Sequence, residues 1–168
     1  MSDQAELVGD VWTTSLSSRI GKPLLNPVAA QSFDEMVIIL RRDSGLRFDE
    51  NLPLFHLYGT DIVQTARSAG LGAYVGNLPV VHNDGFHDRL RRDFSAGYAF
   101  VRRKWQARLP LRTPVVWVTW HGLSLPLYRL RAARSIERRR AVAGNTGTDP
   151  RIFAARCGWE AAQTGVPE

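Results

Sequence analysis

The strongest constraint on the fold is a helical repeat of large apolar residues in the middle of the chain. These residues recur at spacings of four, four, three and four positions: Leu90, Phe94, Tyr98, Val101 and Trp105. Residues with this spacing lie on one face of an α-helix, and the arginines between them fall on the other faces. Pro110 cannot continue such a helix. The sequence therefore predicts an amphipathic helix from Arg89 to Arg108 that buries one face.

Three segments before this helix predict further elements. Met36–Leu40 is a short apolar run without helical gaps, which favours a buried strand. Thr60 is a candidate N-cap for a helix with Asp61 in its first turn, and Gly70 suits a left-handed cap at the end of that helix. Residues 71–81 return to strand character. Strands that alternate with helices in this way indicate an α/β fold.

The two ends of the chain give weaker patterns. Residues 7–12 favour a short strand, residues 113–120 fit either a strand or a helix, and residues 123–140 favour a helix that becomes strongly basic. We therefore expect three parts: an α/β domain over residues 1–114, an aromatic and basic helical segment over residues 115–143, and a weakly ordered tail over residues 144–168.

Length and composition exclude several classes of protein. The 168 residues suit a single globular domain. The single cysteine, Cys157, excludes an internal disulfide framework and a metal site built from several cysteines. No apolar run approaches the roughly 20 residues of a membrane span, and the polar start of the chain does not have the pattern of a signal peptide. A cytoplasmic protein is therefore expected.

Charge is distributed unevenly along the chain. Residues 1–84 carry 6 basic and 10 acidic side chains, a net of −4, whereas residues 85–168 carry 16 and 6, a net of +10. A basic half of this kind favours contact with phosphates or with an anionic surface. A solvated, arginine-rich helical surface is the simpler interpretation of the same pattern.

Two residues are the best candidates for chemistry. Asp61 is expected at the start of a helix, where the dipole and free N–H groups stabilise a carboxylate that could act as a general base. An ordinary first-turn acidic residue fits the same pattern. His82 is expected at the carboxyl end of a strand, where ligands collect in open α/β sheets, and could bind a divalent metal ion. A packed or surface histidine is the alternative.

Several familiar motifs are missing from the sequence. It contains no glycine-rich dinucleotide motif, no P-loop and no nucleophile elbow around a serine. It also contains no His-x-x-His, no cysteine pair and no zinc motif that includes a glutamate. Dinucleotide-fold and P-loop interpretations are therefore excluded, and a tight structural metal site is not expected.

An ordered set of short stretches resembles the carboxyl-terminal half of a family 2-type bacterial glycosyltransferase of the GT-A fold. The stretches that carry this resemblance are Phe33–Glu35, Arg42–Asp49, Phe55–Asp61, Ala66–Gly70, Tyr74–Asn83, Phe100–Trp105 and Leu109–Pro114. The most specific features are the aspartate that closely follows Gly59 and the histidine that follows a proline-containing strand. Together they span roughly half of the chain.

The resemblance implies a partial GT-A-like sheet with flanking helices and a basic helical extension at the carboxyl end. It implies sugar transfer from a nucleotide-sugar to an acceptor hydroxyl, with Asp61 as the general base. It also implies that His82 completes the coordination of Mn²⁺ or Mg²⁺ on the donor. The substrate-binding residues that it implies are His56, Tyr58, Gly59, Thr60, Arg103 and Lys104. Among these, Gly59 is expected to let the backbone approach a sugar closely.

One departure from the family pattern bears on the whole enzyme. Members begin with a nucleotide-binding half that ends in an Asp-x-Asp motif, and no Asp-x-Asp occurs in this sequence. The resemblance therefore implies an incomplete or truncated enzyme, or a second chain that supplies the missing half.

A non-catalytic binding module is the alternative function. The segment from Arg89 to Arg140 combines arginines with Trp105, Trp117 and Trp120, a composition that suits an anionic membrane surface or another polyanion. A carboxyl-terminal helix that packs its leucines and tryptophans on the core fits the same residues. Nucleic acid is not expected as a partner, because no known nucleic-acid-binding pattern is present. Peripheral contact with the inner face of the membrane would combine both functions.

Overall fold

The computed structural model describes most of the chain up to residue 142. The described residues are 1–4, 6–13, 15, 18–87, 90, 92–142, 151, 152 and 155. Their strands are β1 (Val11–Thr13), β2 (Ser18–Ile20), β3 (Val28–Ala29), β4 (Tyr74–Val75) and β5 (Val80–His82). Their α-helices are α1 (Tyr58–Ser68), α2 (Arg92–Lys104), α3 (Ser124–Arg134) and α4 (Ile136–Val142). The expected weakly ordered tail, residues 144–168, lies outside the described residues except at three positions.

The strands form two small sheets, which confirms a mixed α/β fold. In the first sheet β1 lies in the middle, antiparallel to β2 and parallel to β5. The register sets Thr13 opposite His82, so the parallel strands β1 and β5 end at the same edge. The second sheet is the antiparallel pair of β3 and β4. The predicted strand character of residues 71–81 is thus confirmed in two pieces, which residues 76–79 separate.

The main hydrophobic core lies around α2, as the helical repeat predicts. Phe94, Tyr98 and Val101 are buried on one face of this helix, and Leu57 and Val118 pack in the same cluster. The regular helix spans Arg92–Lys104 and a 3-10 turn follows it. Residues 89 and 91 of the predicted helix lie outside the described residues, and Leu90 precedes α2.

Helix α1 begins three residues earlier than the sequence predicts, so Thr60 is not its N-cap. Leu57 holds that position in a left-handed conformation, with φ at 67°. Such a backbone angle is unusual for leucine, and a sequence pattern would assign it to glycine or asparagine. Thr60 lies inside the helix and is fully buried. At the other end Gly70 has φ at 72°, as predicted.

The predicted buried strand at Met36–Leu40 is wrong. The segment has no regular secondary structure and pairs with no strand among the described residues. Val37 is 49% exposed and Ile39 is 82% exposed. A strand needs a neighbouring backbone to satisfy its N–H and C=O groups, and an apolar run alone does not supply one.

The carboxyl-terminal segment shares the core with α2. Residues 115–120 form neither a strand nor a helix, apart from a single bridge between Leu111 and Val118. The predicted helix over residues 123–140 is confirmed as α3 and α4. Val118 and Leu125 lie in the same hydrophobic cluster as α2. In the part of the chain that the structure describes, no helix has the length and apolar character to span a bilayer.

Candidate functional site

Asp61 lies buried in the first turn of α1, with its carboxylate held from both sides. The indole N–H of Trp105 donates a hydrogen bond of 2.7 Å to Oδ1, and the Lys104 ammonium donates one of 2.8 Å to Oδ2. Asp61 is 2% exposed. Both donors stand at the carboxyl end of α2, so this network ties the end of one helix to the start of another. Two strong donors in a protected setting hold the carboxylate in one orientation.

Lys104 links this buried carboxylate to the surface. Its Nζ also donates a hydrogen bond of 2.7 Å to Oδ2 of Asp49. That hydrogen bond, together with those from Asn51, lowers the pKa of Asp49 to about 2. Partial burial alone would lower the pKa of Lys104, but the bonds to both carboxylates raise it above its ordinary value. The lysine is therefore a charged bridge between an exposed and a buried acid.

A second acid, Glu35, lies at the amino end of α1. Its Oε1 accepts a hydrogen bond from the Gly59 N–H, and its carbonyl oxygen accepts one from the Tyr58 hydroxyl. Burial and the neighbouring Asp34 carboxylate raise the pKa of Glu35 to about 7. A carboxyl group with this pKa changes its charge near neutral pH. Sequence analysis missed Glu35, because only its distant backbone partner at Gly59 makes it part of the site.

The group that approaches Gly59 closely is the protein's own backbone. A Cβ placed on this residue would lie 2.6 Å from the carbonyl oxygen of Phe33. The Phe33 N–H also donates a hydrogen bond to the Gly59 carbonyl oxygen. Gly59 thus lets the chain before Met36 pack against α1, whereas the sequence analysis expected the close neighbour to be a sugar.

A cavity of about 1140 Å³ lies on the other side of α1. Ile62 and Val63 of α1 line it, and so do the unpaired segment Met36–Leu40 and strand β1. Most of its wall is apolar. Asp61 itself does not line this cavity, because its side chain lies on the face of α1 that meets α2.

A polar cluster lines the cavity at the carboxyl ends of β1 and β5. The Thr13 hydroxyl donates a hydrogen bond of 2.7 Å to Oδ1 of Asp84, and the Ser15 N–H donates one to the same oxygen. The His82 Nδ1 lies 3.8 Å from Oδ2 of Asp84. Partial burial would raise the pKa of Asp84, but these hydrogen bonds and the nearby imidazole hold it below its ordinary value. The cluster therefore places the ionised carboxylate of Asp84, held in position by hydrogen bonds, beside the exposed imidazole of His82.

This cluster is the place where the residues could hold a cation. Mg²⁺ is usually bound through one or two carboxylates together with phosphate oxygens of a substrate. His82 and Asp84 supply one imidazole and one carboxylate, which meets the lower limit of that donor set. No group of three or more His, Cys, Asp or Glu side chains suited to a metal occurs among the described residues. A bound cation would therefore need most of its ligands from a substrate and from water.

The site residues that the resemblance implies do not lie together in one site. Asp61 and Lys104 contact each other directly, and Arg103 is exposed beside Phe100. Thr60 is buried behind Asp61, and its hydroxyl has no hydrogen-bond partner in the described part of the chain. His82 belongs to the cavity on the other side of α1.

His56 is half-buried near the start of α2. Its Nε2 lies 3.5 Å from Oδ1 of Asp93, and its ring packs against Phe55 and Phe94. A glycine at position 97 lets the His56 carbonyl approach the helix, because a Cβ there would lie 2.8 Å from that oxygen. These contacts fix the residue in the protein framework.

Three further residues of the polar cluster were missed by sequence analysis: Thr13, Ser15 and Asp84. Asp84 carries a usable signal, because it is an acidic residue two positions after a histidine at a strand end. Thr13 and Ser15 carry none, since their role depends on the parallel pairing of β1 with β5.

Comparisons of this chain with protein-family models, with curated proteins and with solved structures found no match.

Proposed function

We propose that this chain is part of a family 2-type glycosyltransferase that moves a sugar from a nucleotide-sugar to an acceptor hydroxyl, with Asp61 as the general base. The observation that carries the proposal is the Asp61 carboxylate, which is buried and fixed by Lys104 and Trp105. A base that is held rigidly and kept from bulk water is what proton abstraction from an alcohol requires.

Lys104 is the movable member of this arrangement. Its side chain is 27% exposed, whereas that of Asp61 is 3% exposed. Because Lys104 already bonds to Asp49, it can keep that partner while it releases Oδ2 of Asp61 to an incoming hydroxyl. Trp105 would continue to hold Oδ1, so the carboxylate would stay oriented during the exchange.

The proposed transfer is a direct displacement at the anomeric carbon of the donor sugar. Asp61 accepts the hydroxyl proton while the acceptor oxygen forms a bond to the anomeric carbon of the sugar. The bond between that carbon and the diphosphate oxygen breaks, and the nucleoside diphosphate leaves with the electron pair. Removing a general base of this type reduces rates by about 100-fold to 10,000-fold.

The cavity at the ends of β1 and β5 is the proposed donor site. Ligands of open α/β sheets bind outside the carboxyl ends of the strands, where the polar cluster lies. His82 and Asp84 would hold the Mn²⁺ or Mg²⁺ ion of the donor, and such an ion neutralises charge on a leaving diphosphate. The Asp61 carboxylate lies on the other side of the first turn of α1, so this turn would have to move for the acceptor hydroxyl to reach the donor.

The test uses the full chain with UDP- and GDP-sugars in the presence of Mn²⁺. Binding is measured by calorimetry, and release of nucleoside diphosphate is measured with simple alcohol acceptors. We expect Asp61→Asn to keep nucleotide binding and to lose at least about 100-fold in release. The control is Glu50→Gln, which removes an exposed carboxylate that does not line the cavity.

Two results would contradict the proposal. The first is turnover by Asp61→Asn at the rate of the unmodified chain, which would remove the base. The second is a lack of binding for every UDP- and GDP-sugar tested with Mn²⁺, which would remove the donor site. Circular dichroism of Asp61→Asn distinguishes a lost base from a lost fold.

A further inference from the structure

Helix α3 directs a stripe of large apolar side chains away from the core. Leu127 is 49% exposed and Leu130 is 48% exposed, and Leu123 just before the helix is 58% exposed. These three residues are spaced by four and three positions, so they share one face of the helix. Leu125 lies on the opposite side and is buried in the core. The outward leucines therefore do not contribute to the packing of α3 on the hydrophobic core.

The turn that precedes α3 adds a tryptophan to this stripe. Trp120 is 73% exposed and makes only an edge contact with the His121 ring among the described residues. Gly122, with φ at 74°, makes the turn that connects Trp120 to Leu123. We define the leucine face as Trp120, Leu123, Leu127 and Leu130. It consists of a tryptophan in the turn before α3, a leucine at the N-cap of α3 and two leucines within the helix.

The leucine face lies in the most basic part of the chain. Residues 94–136 contain eight Arg and Lys side chains and no Asp or Glu. Two of these arginines, Arg131 and Arg134, lie on α3 itself and are exposed. A third, Arg129, donates a hydrogen bond of 2.8 Å to the Ser95 hydroxyl and fixes α3 to α2. The outward surface of α3 thus combines large apolar side chains with uncompensated positive charge.

We propose that the leucine face docks on an anionic lipid bilayer, with α3 lying in the plane of the membrane surface. Helices that bind this way pair a Trp- and Leu-rich face with flanking arginines that meet lipid phosphates. Trp120 suits the headgroup boundary, where tryptophan is enriched.

The charge pattern selects this partner over two others. A nucleic acid would use the arginines and leave the leucines in water, whereas a bilayer takes both. A second copy of this chain would bring the same uncompensated arginines against each other, because α3 has no acidic residue. The docking surface is independent of Asp61 and therefore of the proposed transfer reaction.

The test is co-sedimentation of the full chain with vesicles. Vesicles of phosphatidylcholine alone are compared with vesicles that contain about one third phosphatidylglycerol. We expect binding to the anionic vesicles to be at least about tenfold tighter. Leu127→Asn with Leu130→Asn should weaken it by about tenfold or more. Arg131→Gln with Arg134→Gln should weaken it by about tenfold and flatten its salt dependence.

Matched controls come from exposed residues elsewhere in the chain. Leu25→Asn changes a fully exposed leucine, and Arg42→Gln with Arg47→Gln removes two exposed arginines. Both controls should leave binding unchanged. Tryptophan fluorescence gives a second readout, since the shift to shorter wavelength on vesicle binding should disappear in Trp120→Phe.

Three outcomes would overturn the proposal. The first is equal binding to both kinds of vesicle, and the second is anionic binding that the leucine variants do not weaken. An oligonucleotide that competes fully in that second case would reassign the arginines to a polyanion. The third is a concentration-dependent dimer that Leu127→Asn with Leu130→Asn dissociates, which would reassign the face to a second copy.

Discussion

Trp105 Nε1 and Asp61 Oδ1 lie 2.7 Å apart, and this hydrogen bond joins the end of α2 to the first turn of α1. The two residues are 44 positions apart in the chain. Lys104 completes the contact by bonding to the other carboxylate oxygen. The helix with the clearest sequence pattern therefore fixes the acidic residue that is the best candidate for a general base.

Removal of the lysine should destabilise the fold strongly. Lys104→Met leaves the buried Asp61 carboxylate without its cationic partner, and breaking a buried pair in this way costs about 3 kcal/mol or more. We expect the free energy of unfolding, measured by urea denaturation, to fall by that amount. Combining Lys104→Met with Asp61→Asn should restore most of it, because the neutral amide oxygen can still accept the bond from Trp105.

The neighbouring Arg103 provides the control for this prediction. Its side chain is exposed, and its cation lies 6.0 Å from the centre of the Phe100 ring. Arg103→Met should change the free energy of unfolding by no more than about 0.5 kcal/mol. Equal losses for Arg103→Met and Lys104→Met would mean that the ion pair with Asp61 adds nothing specific.

Gly59 should not tolerate a side chain. The Cβ of Gly59→Ala would come within 2.6 Å of the Phe33 carbonyl oxygen, so the backbone of one segment must move. Such overpacking costs about 1–3 kcal/mol, which thermal unfolding would reveal as a lower melting temperature. Gly76→Ala is the matched control, because nothing lies within 4 Å of its added Cβ. An unchanged melting temperature for Gly59→Ala would contradict this tight packing.

The helices were predictable from the sequence because their signals are local. The spacing of Phe94, Tyr98 and Val101 sufficed to predict α2 and its buried face, and Gly70 marked the end of α1. A helix makes its own backbone hydrogen bonds, so its pattern needs no knowledge of distant residues.

Other features depend on distant residues and were not predictable. The segment Met36–Leu40 pairs with no strand in the part of the chain that the structure describes, and no local pattern reports whether a partner exists. The cluster of Asp84 with Thr13 spans 71 positions and exists only because β1 pairs with β5. The resemblance implies that Asp61 and His82 act in the same reaction, and whether they face one cleft depends on similarly distant contacts. In the structure α1 separates the Asp61 carboxylate from the cavity.

Replacement of Leu54 by glycine should stabilise the protein. The φ of Leu54 is 62°, a left-handed backbone conformation that is unfavourable for leucine. Its side chain is 61% exposed, so packing contacts do little to offset that cost. Glycine adopts this conformation without the penalty of roughly 1–2 kcal/mol that a Cβ brings. Leu54→Gly should therefore raise the free energy of unfolding by up to about 1 kcal/mol after the entropic cost of glycine.

The next residue provides the contrast. Phe55 is 58% exposed but has no positive φ. Phe55→Gly should therefore lower the free energy of unfolding, through the greater entropy of the unfolded chain and the lost contact with His56. If both glycine variants shift stability in the same direction, the backbone of Leu54 is not strained.

Glu35 should make stability fall as the pH rises towards neutrality. Its pKa is about 7 in the folded protein against an ordinary value of 4.5, because burial and the nearby Asp34 carboxylate disfavour the charged form. The folded state thus holds the proton more tightly than the unfolded state does. The stabilisation is complete below about pH 4.5 and is lost as the pH rises through about 7.

A comparison of two variants isolates this effect from other titrating groups. Glu35→Gln has no carboxyl group at that position, so its free energy of unfolding should lack this decline between pH 4.5 and 7. Glu50→Gln removes an exposed carboxylate and should keep the decline of the unmodified chain. Urea denaturation at closely spaced pH values measures the difference curve. A flat difference between the unmodified chain and Glu35→Gln would mean that Glu35 titrates alike in both states, and the burial of its carboxyl group beside Asp34 would then be wrong.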